Sequence, residues 1–201
     1  MERKLILPGD KIADGKHDMP YAYFENGAMY ATLIGFIDET GRYMPIEKPY
    51  KPLRDDIIVG VVTDARHAGY SVDLGHSSGG FVSSRFVRTR LQLGDIILAK
   101  IRSISETGGI MDLGDVKRLP QGKIVRFPTS KIPRLIGKKS SMLELIKKYG
   151  NGDVVVGNNG YVWISDKSDI PKIMKAMKII DDKAHTSGLT DTITQFFEKG
   201  E

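Results

Sequence analysis

Arg134-Leu-Ile-Gly-Lys-Lys-Ser-Ser-Met-Leu-Glu-Leu-Ile146 reads as a short apolar entry, a glycine, two lysines and then a helix. Ser141 and Glu144 have capping-box spacing, so each can satisfy a free amide at the helix start. Met142, Leu145, Ile146 and Tyr149 recur at helical spacing and form one apolar face. Gly150 suits a left-handed cap at the far end. Two β-rich runs follow, Asp153–Gly157 and Tyr161–Ile164, joined by Asn158-Asn159-Gly160, whose residues tolerate positive φ. Around this helix, residues 117–148 carry ten Lys/Arg and one acid, Glu144. A helix N-terminus beside lysines accepts a phosphate through free amides and the helix dipole.

Working outward, Lys123–Phe127 reads as a strand before the Arg134 segment. After Trp163, Ser168 or Asp169 can cap a further helix with Pro171 in its first turn. Ile170, Ile173, Met174, Met177 and Ile180 are spaced to face its core. A last helix around Thr190–Lys199 presents Ile193, Phe196 and Phe197. This order of strand, helix, Gly-x-x-x loop, helix, strand, strand and helix resembles a KH domain, covering residues 120–201. Such a domain clamps single-stranded RNA on a Gly-x-x-Gly loop. The resemblance puts that loop at Gly137-Lys138-Lys139-Ser140, with Ser140 in place of the final glycine. Gly157-Asn158-Asn159-Gly160 looks like the Gly-x-Asn-Gly signature of the KH domain in exosome cap subunits. Asn158 and Asn159 are within the chemistry of RNA contact, but a structural role for Gly157–Gly160 as a turn against the neighbouring domain is preferred. Trp163 alternates like a core strand residue.

Residues 54–119 hold two hairpins of the same grammar. Residues 57–75 and 96–114 align without a gap, each a long strand, a loop ending at glycine (Gly69, Gly108) and a strand closing in Asp-Leu-Gly. Asp73 and Asp112 thereby read as strand endings. Gly79-Gly-Phe-Val82 is a short strand between them, Ser83–Arg90 a turn or short helix, and Leu93-Gly-Asp95 opens the next strand. Five strands in this order suit a small OB barrel. The pattern resembles the S1 RNA-binding domain in Gly69 before Val72-Asp-Leu-Gly75, in Gly80-Phe-Val, in Gly94-Asp95 and in the closing Leu-Gly. Ala68 and Ser71 stand where such domains usually carry aromatics, Ser83 where a histidine is common and Gly109 where an arginine is common. Base stacking is worth about 1–3 kcal/mol per base, so weak stacking is expected of this face. The remaining candidates are Arg66, His67 and Tyr70 on one loop and Arg85, Arg88 and Arg90 after the third strand. Tyr70 suits packing as well as stacking. The arginines together would give salt-sensitive, sequence-tolerant binding.

Residues 1–53 read as a small β module. Pro8-Gly-Asp10, Asn26-Gly27 and Glu39-Thr-Gly41 are turn signals, with strands expected at Tyr21–Phe24, Ala28–Ile37 and Arg42–Ile46. Pro45, Pro49 and Pro52 end it in a stiff connector. His17 lies with Asp14 and Asp18 in a polar stretch that reads as an exposed loop rather than a metal site.

Composition narrows the classes. The chain of 201 residues has a net charge of +5, which favours an anionic partner. That charge lies late, since residues 1–56 hold eight basic and ten acidic residues. Zero cysteines exclude disulfides and thiolate zinc sites. No run of 18 apolar residues is present, and the N-terminal apolar stretch is too short for a secretory signal. Walker, His-Glu-x-x-His and Gly-x-Ser-x-Gly motifs are absent. Asp64, Asp73, Asp95 and Asp112 could suggest a metal-dependent nuclease, but turn positions explain Asp73 and Asp112 better. No catalytic residue, metal or cofactor is expected.

The sequence thus predicts a multi-domain chain, mainly β and then α/β: an N-terminal β module, an S1-type OB barrel and a C-terminal KH domain. That order, with the Gly-x-Asn-Gly signature, resembles the RNA-binding cap subunit of the archaeal exosome. The resemblance implies a non-catalytic cytoplasmic protein that binds single-stranded RNA and guides 3′ ends into a phosphorolytic ring. Three copies would sit on a hexameric ring, docked by the N-terminal module. The alternative is a free-standing S1/KH factor in transcription or translation. No membrane contact is expected.

Overall fold

The computed structural model describes residues 4–19, 21–37, 43–46, 49–87, 90–105, 110–184 and 188–199. The chain divides into two compact units, Met1–Pro49 and Tyr50–Glu201.

Among its described residues the first unit has six short strands: β1 Lys4–Ile6, β2 Lys11–Asp14, β3 Ala22–Glu25, β4 Ala28–Ala31, β5 Gly35–Ile37 and β6 Tyr43–Pro45. They form two antiparallel three-stranded sheets, β1-β5-β6 and β2-β4-β3. Ile6, Ala31 and Tyr43 are its buried centre. Asn26 and Gly27 both take positive φ, the requirement of a two-residue hairpin turn. The single strand expected over Ala28–Ile37 is in fact two. The Thr32 amide and hydroxyl both donate to the Tyr21 carbonyl, which ends one ladder before Gly35 begins the other. Strands β1 and β2 flank Pro8-Gly-Asp10 and carry no strong alternation. The Glu39-Thr-Gly41 turn and Arg42 lie outside the described residues.

The second unit begins with a five-stranded closed barrel of β7 Ile57–Arg66, β8 Gly69–Asp73, β9 Gly79–Ser83, β10 Ile96–Ile104 and β11 Ile110–Arg118. β9 and β11 pair in parallel, and the other pairs are antiparallel. Alternate residues fill the interior, among them Ile58, Val62, Val72, Ile97, Ile101 and Leu113. Asp73 does end its strand, but Asp112 lies inside β11, opposite Ser103. The reading of matched strand endings is corrected at Asp112, because β11 runs on past the shared motif to pair again with β10.

The KH-like part follows as β12 Gly122–Arg126, α1 Ile132–Ile136, α2 Ser141–Tyr149, β13 Val154–Val156, β14 Tyr161–Ser165, α3 Ile170–Asp182 and α4 Leu189–Lys199. Its sheet has the order β12-β14-β13, all antiparallel. The Asp169 carboxylate caps α3 by accepting the Lys172 amide at 3.1 Å. Three local expectations are corrected. Ser141 is the first helical residue of α2 rather than its cap, so the capping box with Glu144 does not form. Gly150 has φ −84, not a left-handed value. Its missing side chain is needed instead because a Cβ there would come within 2.5 Å of Ile173. Met174 is 42% exposed, and Ala176 takes the core position on α3.

Every residue of β14 is buried because both faces of this sheet are covered. Val162 and Ile164 point into the helical layer. Tyr161 and Trp163 point the other way and pack with Val59 of β7 and Leu119. The barrel therefore serves as the second cover of the KH sheet.

The join has a polar bolt. β8 pairs with β7 from Val61 onward, leaving residues 57–60 of β7 without a strand on that side. The Asn158 amide donates to the Ile57 carbonyl at 2.8 Å. The Asn159 side chain accepts the Val59 amide at 3.1 Å and donates to the Val59 and Leu74 carbonyls at 2.7 and 2.9 Å. A primary amide presents the same donor and acceptor as a peptide unit, so Asn159 continues the ladder that β8 leaves off. A Cβ on Gly157 would stand 2.3 Å from the Asn159 Oδ1 and 2.6 Å from the Val59 nitrogen. Gly160 supplies φ +83. The connector is held at the same place: the Asp56 carboxylate accepts from the Tyr50 hydroxyl, the Leu53 amide and the Asn158 side chain.

Two outcomes follow from this join. Asn159→Ala leaves three buried backbone groups unpaired, and should lower unfolding free energy by about 3 kcal/mol. Urea titration followed by the fluorescence of Trp163, the only tryptophan, measures this. Burial, and then the bond to Asp56, raises the Tyr50 hydroxyl well above its ordinary value. The folded form thus holds this proton where the unfolded chain has lost it. Stability from Tyr50 is complete below about pH 10 and falls above it, by up to about 1.4 kcal/mol per pH unit. Tyr50→Phe should remove that component, read as a shallower alkaline loss than in the unsubstituted chain.

Candidate nucleic-acid interface

The candidate residues fall into two patches separated by the KH sheet. The first is the loop before α2. Gly137 has φ 75 and ψ 172, a region that only glycine occupies readily, and a Cβ there would lie 2.8 Å from the Met142 backbone nitrogen. Lys139 and Ser140 follow with φ 51 and 64. Ser140 thus holds a left-handed conformation that costs a non-glycine residue about 1–2 kcal/mol. No side chain caps α2, and the amide of its first residue, Ser141, donates to the Lys138 carbonyl. Lys138 and Lys139 are exposed and form no ion pair among the described residues. Glu144 pairs with Lys147 at 3.5 Å, away from the loop.

The second patch is one end of the barrel. The 3-10 turn Ser84–Phe86 is tied to the β7–β8 loop by the Ser84 amide, which donates to the Ala68 carbonyl at 3.1 Å. This brings exposed Arg85 beside Arg66 and His67, both exposed. Arg66 is held by Asp64 at 2.6 Å, which reduces the charge it can offer. Arg90 is exposed. Arg88 lies outside the described residues. Tyr70 is corrected: it is 8% exposed within the barrel core, and its hydroxyl accepts the Leu91 amide at 3.3 Å, so it offers no face for stacking.

Sequence reasoning missed the groove beside this patch. About 550 Å³ in volume, it is lined by Phe86, Leu91, Arg102, Asp115, Lys117 and Arg118 among others. Phe86 is 48% exposed, with the Arg102 guanidinium 4.2 Å from its ring centroid. The only sequence signal was an aromatic lodged among arginines at Arg85-Phe-Val-Arg88; Arg102 comes from a distant strand.

Gly157, Asn158, Asn159 and Gly160 make the barrel join described above and leave little for a ligand, Asn159 being 7% exposed. Three of the four carboxylates weighed as a nuclease centre are dispersed among separate partners. Asp64 binds Arg66, Asp73 accepts the Gly75 amide and the Tyr161 hydroxyl, and Asp95 binds Arg118. Among the described residues, no three His, Asp or Glu side chains converge on a metal-sized site. The His17 ring bonds the Asp14 carbonyl at 2.7 Å. The first unit carries a different kind of surface. Leu5, Leu7, Ile34, Met44 and Ile46 are each 43–52% exposed, and Pro8, Leu33, Ile34 and Ile46 line a largely apolar groove of about 450 Å³.

Known proteins share this construction. Residues 3–46 match the family model of the exosome RNA binding protein RRP4 N-terminal domain, and residues 122–170 match the KH domain model. The exosome complex component Rrp4 of Pyrococcus furiosus is 34% identical, covering 95% of this chain and 81% of its own. That of Pyrococcus abyssi is 35% identical over the same shares. Among solved structures, one described as an exosome complex RNA-binding protein superposes with a TM-score of 0.65 at 27% identity, over 76% of this chain and 97% of that one.

If the loop before α2 takes phosphates, Lys138→Glu with Lys139→Glu should weaken binding of single-stranded RNA. The logarithmic salt slope should shrink by about 1.4, from two phosphates at about 0.7 each. Titration of a labelled oligonucleotide at several salt concentrations checks this; an unchanged slope takes the loop off the RNA path.

Proposed function

Since the chain belongs to the Rrp4 family of exosome complex components, we propose that it is an RNA-binding cap subunit of an exosome. In this reading it gathers single-stranded RNA and passes 3′ ends to phosphorolytic subunits arranged as a six-membered ring. Three copies cap that ring, and the complex works in the cytoplasm. The subunit itself is not catalytic; the pairing of Asp64, Asp73 and Asp95 with separate partners supports this.

The observation that carries the proposal is the combination of surfaces. The second unit offers cations around one barrel end and on the loop before α2, the chemistry for a phosphate backbone. The first unit offers an apolar surface of Leu5, Leu7, Ile34, Met44 and Ile46, of the kind that marks a protein contact. One unit thus suits the nucleic acid and the other suits the ring. A free-standing factor would need no such apolar face.

Native mass analysis of the protein affinity-purified from its own cells is the direct test. It should be recovered in a large assembly with phosphorolytic ring subunits; recovery as a monomer, or with ribosomes or polymerase alone, would sink the proposal. Ile34→Asp with Ile46→Asp should abolish that assembly and leave the RNA affinity of the free chain within about twofold, because the substituted surface lies outside the RNA-binding unit.

A further inference from the structure

We propose that the groove between the Ser84–Phe86 turn and strands β10 and β11 is a nucleotide site, in which a base of single-stranded RNA stacks on the Phe86–Arg102 pair and Lys117 takes an adjoining phosphate. The proposal rests on the RNA-binding reading above and adds where on the barrel a base is held.

The barrel lacks aromatics at Ala68 and Ser71; of the aromatics near that loop, Tyr70 is in the core and Phe81 is half-buried, packed against Gly69. Phe86 is the exposed ring of this end. Burying it in a groove with an RNA base removes apolar surface from water and gains face-to-face contact. Arg102 crosses β11 to lie over that ring. Its path depends on Gly114: a Cβ at that position would stand 1.8 Å from the Arg102 Nε. Gly114 has no positive φ to explain it, so the space it leaves is filled by the arginine. The resulting stack joins an aromatic face to a planar cation, and both stack on bases.

Charge in the groove favours RNA. Arg118 is already bound to Asp95 at 2.8 Å, and Arg102 has Asp115 at 3.7 Å, a loose and exposed pairing. Lys117 lines the groove without an ion pair among the described residues, and exposed Arg85 adjoins Phe86. The balance is positive, so a polyanion with flat apolar bases is the matching occupant. An acidic protein segment would meet the charge but would not use the Phe86–Arg102 stack.

The test uses the full chain and a labelled oligoadenylate of about ten nucleotides, within the span an OB barrel covers, followed by anisotropy. Phe86→Ala should weaken binding about tenfold with an unchanged salt slope, because a stacking contact is lost and no phosphate contact. Phe86→Trp should retain wild-type affinity or exceed it. Gly114→Ala should weaken binding in the same direction by turning Arg102 aside, with the barrel intact by circular dichroism. Lys117→Gln should weaken binding and reduce the salt slope by about 0.7. Wild-type affinity in both Phe86→Ala and Gly114→Ala, with the parent chain binding RNA, would overturn the site and leave the RNA-binding reading standing. Loss of complex assembly with RNA affinity unchanged would assign the groove to an acidic protein partner and overturn the RNA site. Absence of RNA binding by the parent chain, alone or in its complex, would defeat that reading and this site together.

Discussion

The Asn159 side chain bound to both backbone polar groups of Val59 is the contact on which the second unit depends. A barrel strand that outruns its neighbour leaves unpaired amides and carbonyls, and leaving such groups buried costs about 1–3 kcal/mol each. Here the KH turn satisfies them. The net gain from each such bond is only about 1 kcal/mol. Burial of Tyr161, Trp163, Leu119 and Val59 supplies more, on the order of 2 kcal/mol for each large side chain. Apolar surface therefore provides the adhesion. The asparagine provides register, since a slip by one residue would strand the Val59 amide.

This join decides what the KH sheet can do. With helices on one face and the barrel on the other, neither face is left for a ligand, and the turn between β13 and β14 is spent on the barrel. The exposed cations of the second unit lie instead on the loop before α2 and at the barrel end around Arg85. The two Asp-Leu-Gly motifs show how one local grammar serves different ends. A Cβ at Gly75 would come within 2.6 Å of the Tyr161 ring, so this glycine admits the KH side chain. Gly114 admits Arg102. One glycine builds the join and the other shapes the groove.

Much of the fold was legible because it rests on short-range patterns. The repeated hairpin grammar gave the long barrel strands, turn chemistry gave Asn26-Gly27, and helical spacing gave Ile173, Met177 and Ile180 of α3. Errors came where tertiary contacts outweighed local preference. Gly150 looked like a cap but is a contact glycine against Ile173. Ser141 looked like a cap but begins the helix, because Gly137, Lys139 and Ser140 turn the chain with three positive φ values. Tyr70 sits beside basic residues in sequence, yet alternation along β8 turns its ring inward.

By itself the sequence determined the order of the parts, the closed barrel grammar and the basic loop before α2, since each is written within about twenty consecutive residues. Only the tertiary structure decided that Asn159 completes β7, that Tyr70 is core, and that Phe86, Arg102 and Lys117 share a groove. Those relations join residues far apart in the chain through side-chain reach and the absence of a Cβ. Local propensity carries no record of either.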